Sequence, residues 1–152
     1  MKAQYKSTLG DEPLVEIDAS SLDHISCLVG EVRQEADGSA VEPEGGVPLI
    51  ALYGPAATLL VAPVDDRFML FFTPRDTSIS FTSLDPTGNS SNDLTYWFYS
   101  GGSASELPQR FSISSEAAML AIAEFLRNPD VMPFSDGFVW EPDWVVPSQP
   151  GA

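Results

Sequence analysis

The single histidine and the single cysteine of this chain lie three residues apart, and a glutamate follows four residues later. His24, Cys27 and Glu31 could offer three ligands to a zinc ion, or a thiolate beside a general base. A zinc site would need a fourth ligand, however, and a nucleophile would need a pocket. All three residues also lie away from the apolar stripe predicted for their helix. We therefore interpret them as a solvated helix face, and we expect neither a metal nor a cofactor.

Two acidic segments could also supply catalytic or metal-binding groups. Asp65-Asp66 could form a carboxylate pair, but such a pair does acid–base work only when burial or a neighbour separates the two pKa values. At a tight turn, both side chains are expected to face water. The loop from Asp85 to Asp93 differs from an EF-hand loop, because position 6 is Ser90 instead of glycine and position 12 is Tyr96 instead of glutamate.

Familiar catalytic motifs are missing from the sequence. It has no glycine-rich phosphate loop, no Gly-x-Ser-x-Gly elbow, and neither the His-x-Glu nor the Cys-x-x-Cys element of a zinc deaminase. One cysteine cannot form an internal disulfide bond or a Cys-x-x-Cys pair. We predict that the protein is not an enzyme.

The charge balance favours a basic protein as the partner. Twenty-two Asp and Glu face seven Lys and Arg, which gives a formal charge of -15. Binding to nucleic acid needs clustered lysines and arginines at the phosphates, so this surplus of acid opposes it. Charge governs association and solubility and leaves the fold open.

One long uncharged segment could suggest a membrane span. Residues 45–64 carry no charge, but they contain Pro48, Pro55 and Pro63, with Gly54 at the centre. Prolines at this density break a helix, so the segment is predicted to form two short strands around a turn. Two lysines but no apolar run precede Asp11, which is not the pattern of a signal peptide. We expect a cytoplasmic protein that does not enter a membrane.

The elements that would position these residues can be predicted from spacing. Residues 1–146 are predicted to form one domain, and the Pro/Gly/Ser-rich residues 147–152 a disordered tail. A first helix is predicted over 21–36, with apolar residues at Leu22, Ile25, Val29 and Val32. A second helix begins after the cap Ser114 and stops at Pro129, with an apolar stripe of Ala118, Ile122, Phe125 and Leu126.

The other apolar segments predict strands. Their alternation and turn residues favour an α+β fold, in which a mostly antiparallel meander of five to seven strands is packed by two α-helices. Only residues 65–66 separate two of these strands, which is the length of a hairpin turn. The predicted strands cover residues 14–17, 49–53, 58–64, 67–72, 77–83, 94–99, 106–113 and 138–140.

Aromatic residues concentrate in the strand around residue 97. Successive strand residues face opposite sides, so Trp97 and Tyr99 share one face of the sheet. That face is either part of the core or an exposed anchor for a partner, because binding hot spots are rich in Trp and Tyr. The predicted partner-binding residues are the acids Asp65, Asp66, Asp85, Asp93 and Glu141, and the aromatics Trp97, Tyr99 and Trp140.

The C-terminal half resembles a known family in the order of its elements. An aromatic strand (94–102) is followed by Glu106-Leu-Pro, a helix that opens at Ser114-Ser-Glu-Ala and continues to Phe125-Leu126, and Phe138-Val-Trp-Glu. This order resembles the first family of immunity proteins from bacterial polymorphic-toxin systems, which are commonly encoded beside nucleic-acid deaminase toxins. The likeness covers about residues 48–142, whereas residues 1–47 have no counterpart in it.

The resemblance implies an antitoxin that blocks the active site of a cognate basic toxin, with a cytidine or DNA deaminase as the expected target. The surplus of acidic residues favours the same kind of partner, a basic protein. A second class fits the charge equally well, namely an acidic adaptor or chaperone that escorts a secreted effector without inhibiting it. A third class, an enzyme or small-ligand binder, would require polar groups that converge in a pocket, and the sequence shows no such set.

Overall fold

Long-range strand pairing builds the centre of the molecule. The computed structural model describes residues 1–6, 14–18, 21–35, 47–64, 66–75, 79–86, 95–100, 103–129, 131–134 and 136–142. Within these ranges there are two α-helices, α1 (Leu22–Glu35) and α2 (Ser115–Arg127). The strands are β1 (Lys2–Lys6), β2 (Leu14–Asp18), β3 (Val47–Pro48), β4 (Ile50–Tyr53), β5 (Ala57–Val64), β6 (Arg67–Pro74), β7 (Phe81–Leu84), β8 (Thr95–Ser100), β9 (Ser103–Pro108), β10 (Ile113–Ser114) and β11 (Val139–Pro142).

The main sheet is antiparallel and contains a meander, so the predicted α+β class is confirmed. Its strand order in the described residues is β11-β7-β6-β5-β4-β1-β2, and β10 also pairs with β6. The strands β4 to β7 follow one another in space as they do along the chain. The β1–β2 hairpin extends one edge of the meander, and β11 extends the other.

The central hairpin has the predicted short turn. Val64 pairs with Arg67, which leaves two residues between β5 and β6. Every residue of β5 is buried. Because successive strand residues point to opposite faces, the burial of both Leu59 and Leu60 shows that both faces of this strand are covered.

A second, smaller sheet was not predicted. The aromatic strand β8 pairs antiparallel with β9 and parallel with β3, and it does not belong to the meander. The edge strand predicted over 106–113 was also wrong as a single element. Strand β9 ends at Pro108, a 3-10 turn covers Gln109–Phe111, and β10 follows. Proline has no N–H to donate to a ladder, which is consistent with this break.

Both helices form where the sequence predicts them. In α1, Ile25, Leu28, Val29 and Val32 are buried at helical spacing. In α2, the Ser114 side chain caps the helix by accepting a hydrogen bond from the Ala117 N–H at 3.2 Å. Helix α1 contacts β3 and β5, α2 contacts β6 and β10, and the two helices contact each other. Neither helix of the described ranges has the length and apolar character needed to cross a bilayer.

Aromatic side chains join α2 to the meander. The ring of Phe125 on α2 meets the ring of Phe72 on β6 edge to face, with centroids 6.2 Å apart. Phe125 and Phe72 are both buried. Gly54, in the turn between β4 and β5, lies beside the same cluster, and its N–H donates to the carbonyl of Ala57 at 2.9 Å.

Gly54 is expected to tolerate no larger residue. A Cβ at this position would lie 3.0 Å from the Ala57 carbonyl oxygen, 3.0 Å from the Pro129 Cβ and 3.2 Å from the tip of Phe125. Gly54→Ala should therefore lower the free energy of unfolding by about 1–3 kcal/mol, the usual effect of overpacking a close-packed site. Urea denaturation followed by circular dichroism would measure the loss.

Gly30 in α1 provides the matched control. Apart from its chain neighbours and the backbone of its own helix, no atom lies within 4 Å of a Cβ built there, and the residue is exposed in mid-helix. Gly30→Ala should raise the free energy of unfolding by up to about 1 kcal/mol, because alanine favours a helix over glycine by that amount. Equal effects of the two substitutions would contradict the packing described around Gly54.

Candidate protein-interaction surface

Of the eight residues predicted to bind a partner, the structure describes the side chains of four, namely Asp66, Asp85, Trp140 and Glu141. Asp66 is exposed in the turn between β5 and β6, and Glu141 is exposed on the edge strand β11. Asp65 and Asp93 lie outside the described residues. Trp97 and Tyr99 lie in β8, where their backbones pair with Glu106 and Ala104, but their side chains are outside the described parts of the structure.

Asp85, which the sequence predicts as a partner-binding acid, is already paired within the chain. Its carboxylate pairs with the Arg67 guanidinium at 3.1 Å, and the two side chains are 17% and 28% exposed. Arg67 also donates to the hydroxyl and to the carbonyl oxygen of Ser112, both at 2.8 Å. Asp85 thus helps to hold the end of β7 and the segment before β10 against β6.

Trp140 also differs from the exposed aromatic that the sequence predicted. Its indole N–H donates to the Pro133 carbonyl at 2.8 Å. Its ring lies 5.1 Å from the Phe138 ring and 6.1 Å from the Phe72 ring. The side chain is half-buried because β11 presents it to the same face of the sheet as Phe72, where the aromatic cluster covers it.

The face formed by His24, Cys27 and Glu31 is exposed on α1, as the helical spacing indicates. In the described part of the chain, no three His, Cys, Asp or Glu side chains are arranged to hold a metal ion. This helix face therefore supplies no argument for a metal-dependent reaction.

An open groove beside α2 combines apolar and acidic side chains. We call it the α2 groove, and it is lined by Leu120, Glu124, Arg127, Phe134 and Asp136. The first three residues lie at positions i, i+4 and i+7 of α2, so they share one face of the helix. Ala118, Ile122 and Phe125 lie off this face, and all three are buried.

The segment after α2 supplies the other side of the groove. The hydrogen bond from Trp140 to the buried Pro133 holds the backbone next to Phe134. Gly137 follows Asp136 with a φ of 113°, a backbone conformation that residues other than glycine rarely adopt. A Cβ at Gly137 would also come within 3.4 Å of the Ala117 Cβ, so the segment returns close to α2 before β11 begins.

The groove exposes large apolar side chains. Phe134 is 65% exposed and Leu120 is 56% exposed. An exposed apolar patch rimmed by polar residues is typical of a protein-binding site. Sequence reasoning missed both residues, although Leu120 could have been found, since it lies two positions from Ala118 and therefore off the buried stripe of α2.

No protein-family model matches this chain, and no curated protein does either. The observations that bear on function are therefore the order of elements in the C-terminal half, the charge and the geometry of the described surface.

Proposed function

We propose that this protein is an immunity protein that binds and inhibits a basic toxin domain in the cytoplasm, with a nucleic-acid deaminase as the expected toxin. The observation that carries this proposal is the exposed apolar surface at Leu120 and Phe134 on a chain of charge -15. Such a surface suits a protein partner, and the charge selects a basic one. The order of elements from β8 to β11 supports the immunity class through its resemblance.

The proposed mechanism is occlusion of the toxin's active site. An enzyme that acts on DNA or RNA needs positive charge where it holds the phosphates. An acidic protein is steered toward that charge, which can raise association rates well above the neutral level of about 10⁵–10⁶ M⁻¹s⁻¹. Apolar contacts then slow dissociation, so the inhibitor needs no reaction of its own.

The decisive experiment uses the basic toxin domain that the proposal expects a neighbouring gene to encode. We would purify it alone and in complex with the full chain, and measure deamination of single-stranded DNA and of RNA. Loss of deamination at an equimolar ratio would support the inhibitor. A stable complex with full deaminase activity would favour the adaptor or chaperone, and failure to form a complex would reject both.

The association rate should also fall as salt is added. Ions at 0.15 M screen exposed charges beyond about 8 Å, so the rate should drop by about tenfold or more between 20 mM and 500 mM NaCl, within the range of electrostatic steering. Stopped-flow fluorescence would measure the rate. A rate that does not change with salt would contradict charge-steered binding, whatever the affinity.

A further inference from the structure

We infer that the α2 groove binds an arginine side chain that the basic partner presents next to an apolar residue. This inference rests on the proposed function, because it states which chemical group of the basic partner the protein would recognise. It commits the groove to a cationic occupant on the grounds of charge complementarity. The described residues that line it supply two carboxylates, one guanidinium and two exposed apolar side chains.

The apolar part of the groove suits the stem of a long cationic side chain. Phe134 and Leu120 are both more than half exposed. Arginine packs its methylene groups on apolar surface while its charged end stays near water. The guanidinium can also lie over an aromatic ring, a contact that arginine makes more often than lysine. Phe134 offers such a ring.

The acidic part of the groove suits the charged end. Glu124 and Asp136 both line it, and a planar guanidinium donates to carboxylates in a fixed two-pronged geometry that an ammonium group lacks. Glu124 already accepts a hydrogen bond from Arg127 of the same helix, three residues on. A guanidinium is therefore a group that this carboxylate accommodates.

Arg127 is the internal competitor of the partner's arginine. Its side chain is 76% exposed, and the Glu124 side chain is 39% exposed, so water reaches the pair. Exposed pairs of this kind are weak and readily exchanged. A partner arginine that adds contacts with Phe134 and Asp136 would displace Arg127 from Glu124.

A short peptide provides the direct probe. We would titrate acetyl-Ala-Leu-Arg-Leu-Ala-amide into ¹⁵N-labelled full-length protein and follow the backbone amide signals. We expect shifts concentrated between residues 119 and 137. The same peptide with glutamine in place of arginine should cause no saturable shift there, and the lysine peptide should bind more weakly than the arginine peptide. Shifts elsewhere, or equal shifts with glutamine, would overturn the inference.

Charge-neutral variants locate the contact. Glu124→Gln and Asp136→Asn should each weaken binding of the arginine peptide by about tenfold, the effect of losing one charged hydrogen bond. Glu31→Gln, on the exposed face of α1 and not among the residues that line the groove, makes the same change in net charge and should leave the affinity within about twofold, as expected of an exposed charge that makes no contact with the ligand. An equal loss of affinity for Glu31→Gln would show that peptide binding depends only on net charge, and it would overturn the α2 groove as the binding site.

Arg127→Gln gives a prediction of the opposite sign. Removing the competitor should strengthen peptide binding by about threefold, the scale of an exposed ion pair. Glu124→Gln alone also frees Arg127, so the effect of Glu124 is measured by comparing the double variant Glu124→Gln/Arg127→Gln with Arg127→Gln. The double variant should bind the arginine peptide more weakly than Arg127→Gln does. Weaker binding by Arg127→Gln would show that Arg127 itself contacts the ligand, contrary to the inference.

The same variants separate this inference from the proposed function. If the peptide binds in the α2 groove but the chain leaves the toxin domain active, the groove assignment stands and the inhibitor function fails. If the chain inhibits the toxin while Glu124→Gln and Asp136→Asn match Glu31→Gln in both peptide binding and inhibition, the function stands and the groove assignment fails.

Discussion

Phe125→Ala is expected to lower the free energy of unfolding by about 3–5 kcal/mol, the usual range when a buried phenylalanine is truncated. Phe125 has no solvent exposure, and its ring contacts Phe72 edge to face. The substitution would leave a cavity between α2 and the meander. Since domains are stable by only about 5–15 kcal/mol, the variant should lose a large part of its stability.

Urea denaturation followed by circular dichroism and by tryptophan fluorescence would measure this loss. Leu120→Ala is the control on the same helix, because Leu120 is 56% exposed and its truncation should change stability by less than about 0.5 kcal/mol. A loss below about 1 kcal/mol for Phe125→Ala would show that α2 does not pack on the sheet as described.

Replacing Leu120 and Phe134 together by alanine is expected to weaken binding of the toxin domain by at least about 30-fold, because a single hot-spot residue contributes 2 kcal/mol or more. Both side chains line the α2 groove and are largely exposed. Without the toxin domain, the free energy of unfolding of the double variant should differ little from that of the wild type. The two losses need not add, since neighbouring residues are energetically coupled.

Isothermal titration calorimetry with the purified toxin domain would measure the affinity. Val139→Ala is the control, because Val139 is 46% exposed on β11 and does not line the groove. Its affinity should stay within about threefold of the wild type, as for surface changes away from a hot spot. Wild-type affinity for the double variant would exclude the α2 groove as the apolar part of the interface.

Local signals in the sequence predicted the elements that clear capping or turn residues delimit. Ser114 was expected to cap α2, and its side chain accepts the predicted kind of hydrogen bond. The two-residue connection after Val64 gave the β5–β6 hairpin. The uncharged segment 45–64 contains β3, β4 and the whole of the central strand β5, in place of a membrane span. In each case the deciding interaction lies within a few residues of the signal.

Local signals did not predict the pairing of strands that are far apart in the sequence. Strand β1 was not predicted, although Ala3 and Tyr5 alternate with polar residues as in a strand; one of its partners, β4, lies far along the chain. Nothing near Trp97 indicates that β8 leaves the meander to pair with β3. Such choices depend on which distant segments cover which face, and the strand's own sequence does not contain that information.

The candidate binding residues show the same limit. Asp85 was predicted as a partner-binding acid in a loop, and its contact with Arg67 depends on the end of β7 meeting the start of β6. Trp140 was chosen as an exposed aromatic, but the Pro133 carbonyl and the Phe138 ring engage it. The apolar exposure at Phe134 arises from the path of the chain between α2 and β11, which no local pattern encodes.

The position of β1 inside the sheet has a consequence for how the chain acquires its structure during synthesis. Lys2 pairs with Tyr53 on one side and with Asp18 on the other, so β1 leaves the ribosome well before β4, one of its two partners, has been made. The β5–β6 hairpin, whose turn is two residues long, closes within microseconds once it has emerged. Docking of β1 onto β4 requires closure of a large loop and is therefore expected among the slower steps of folding.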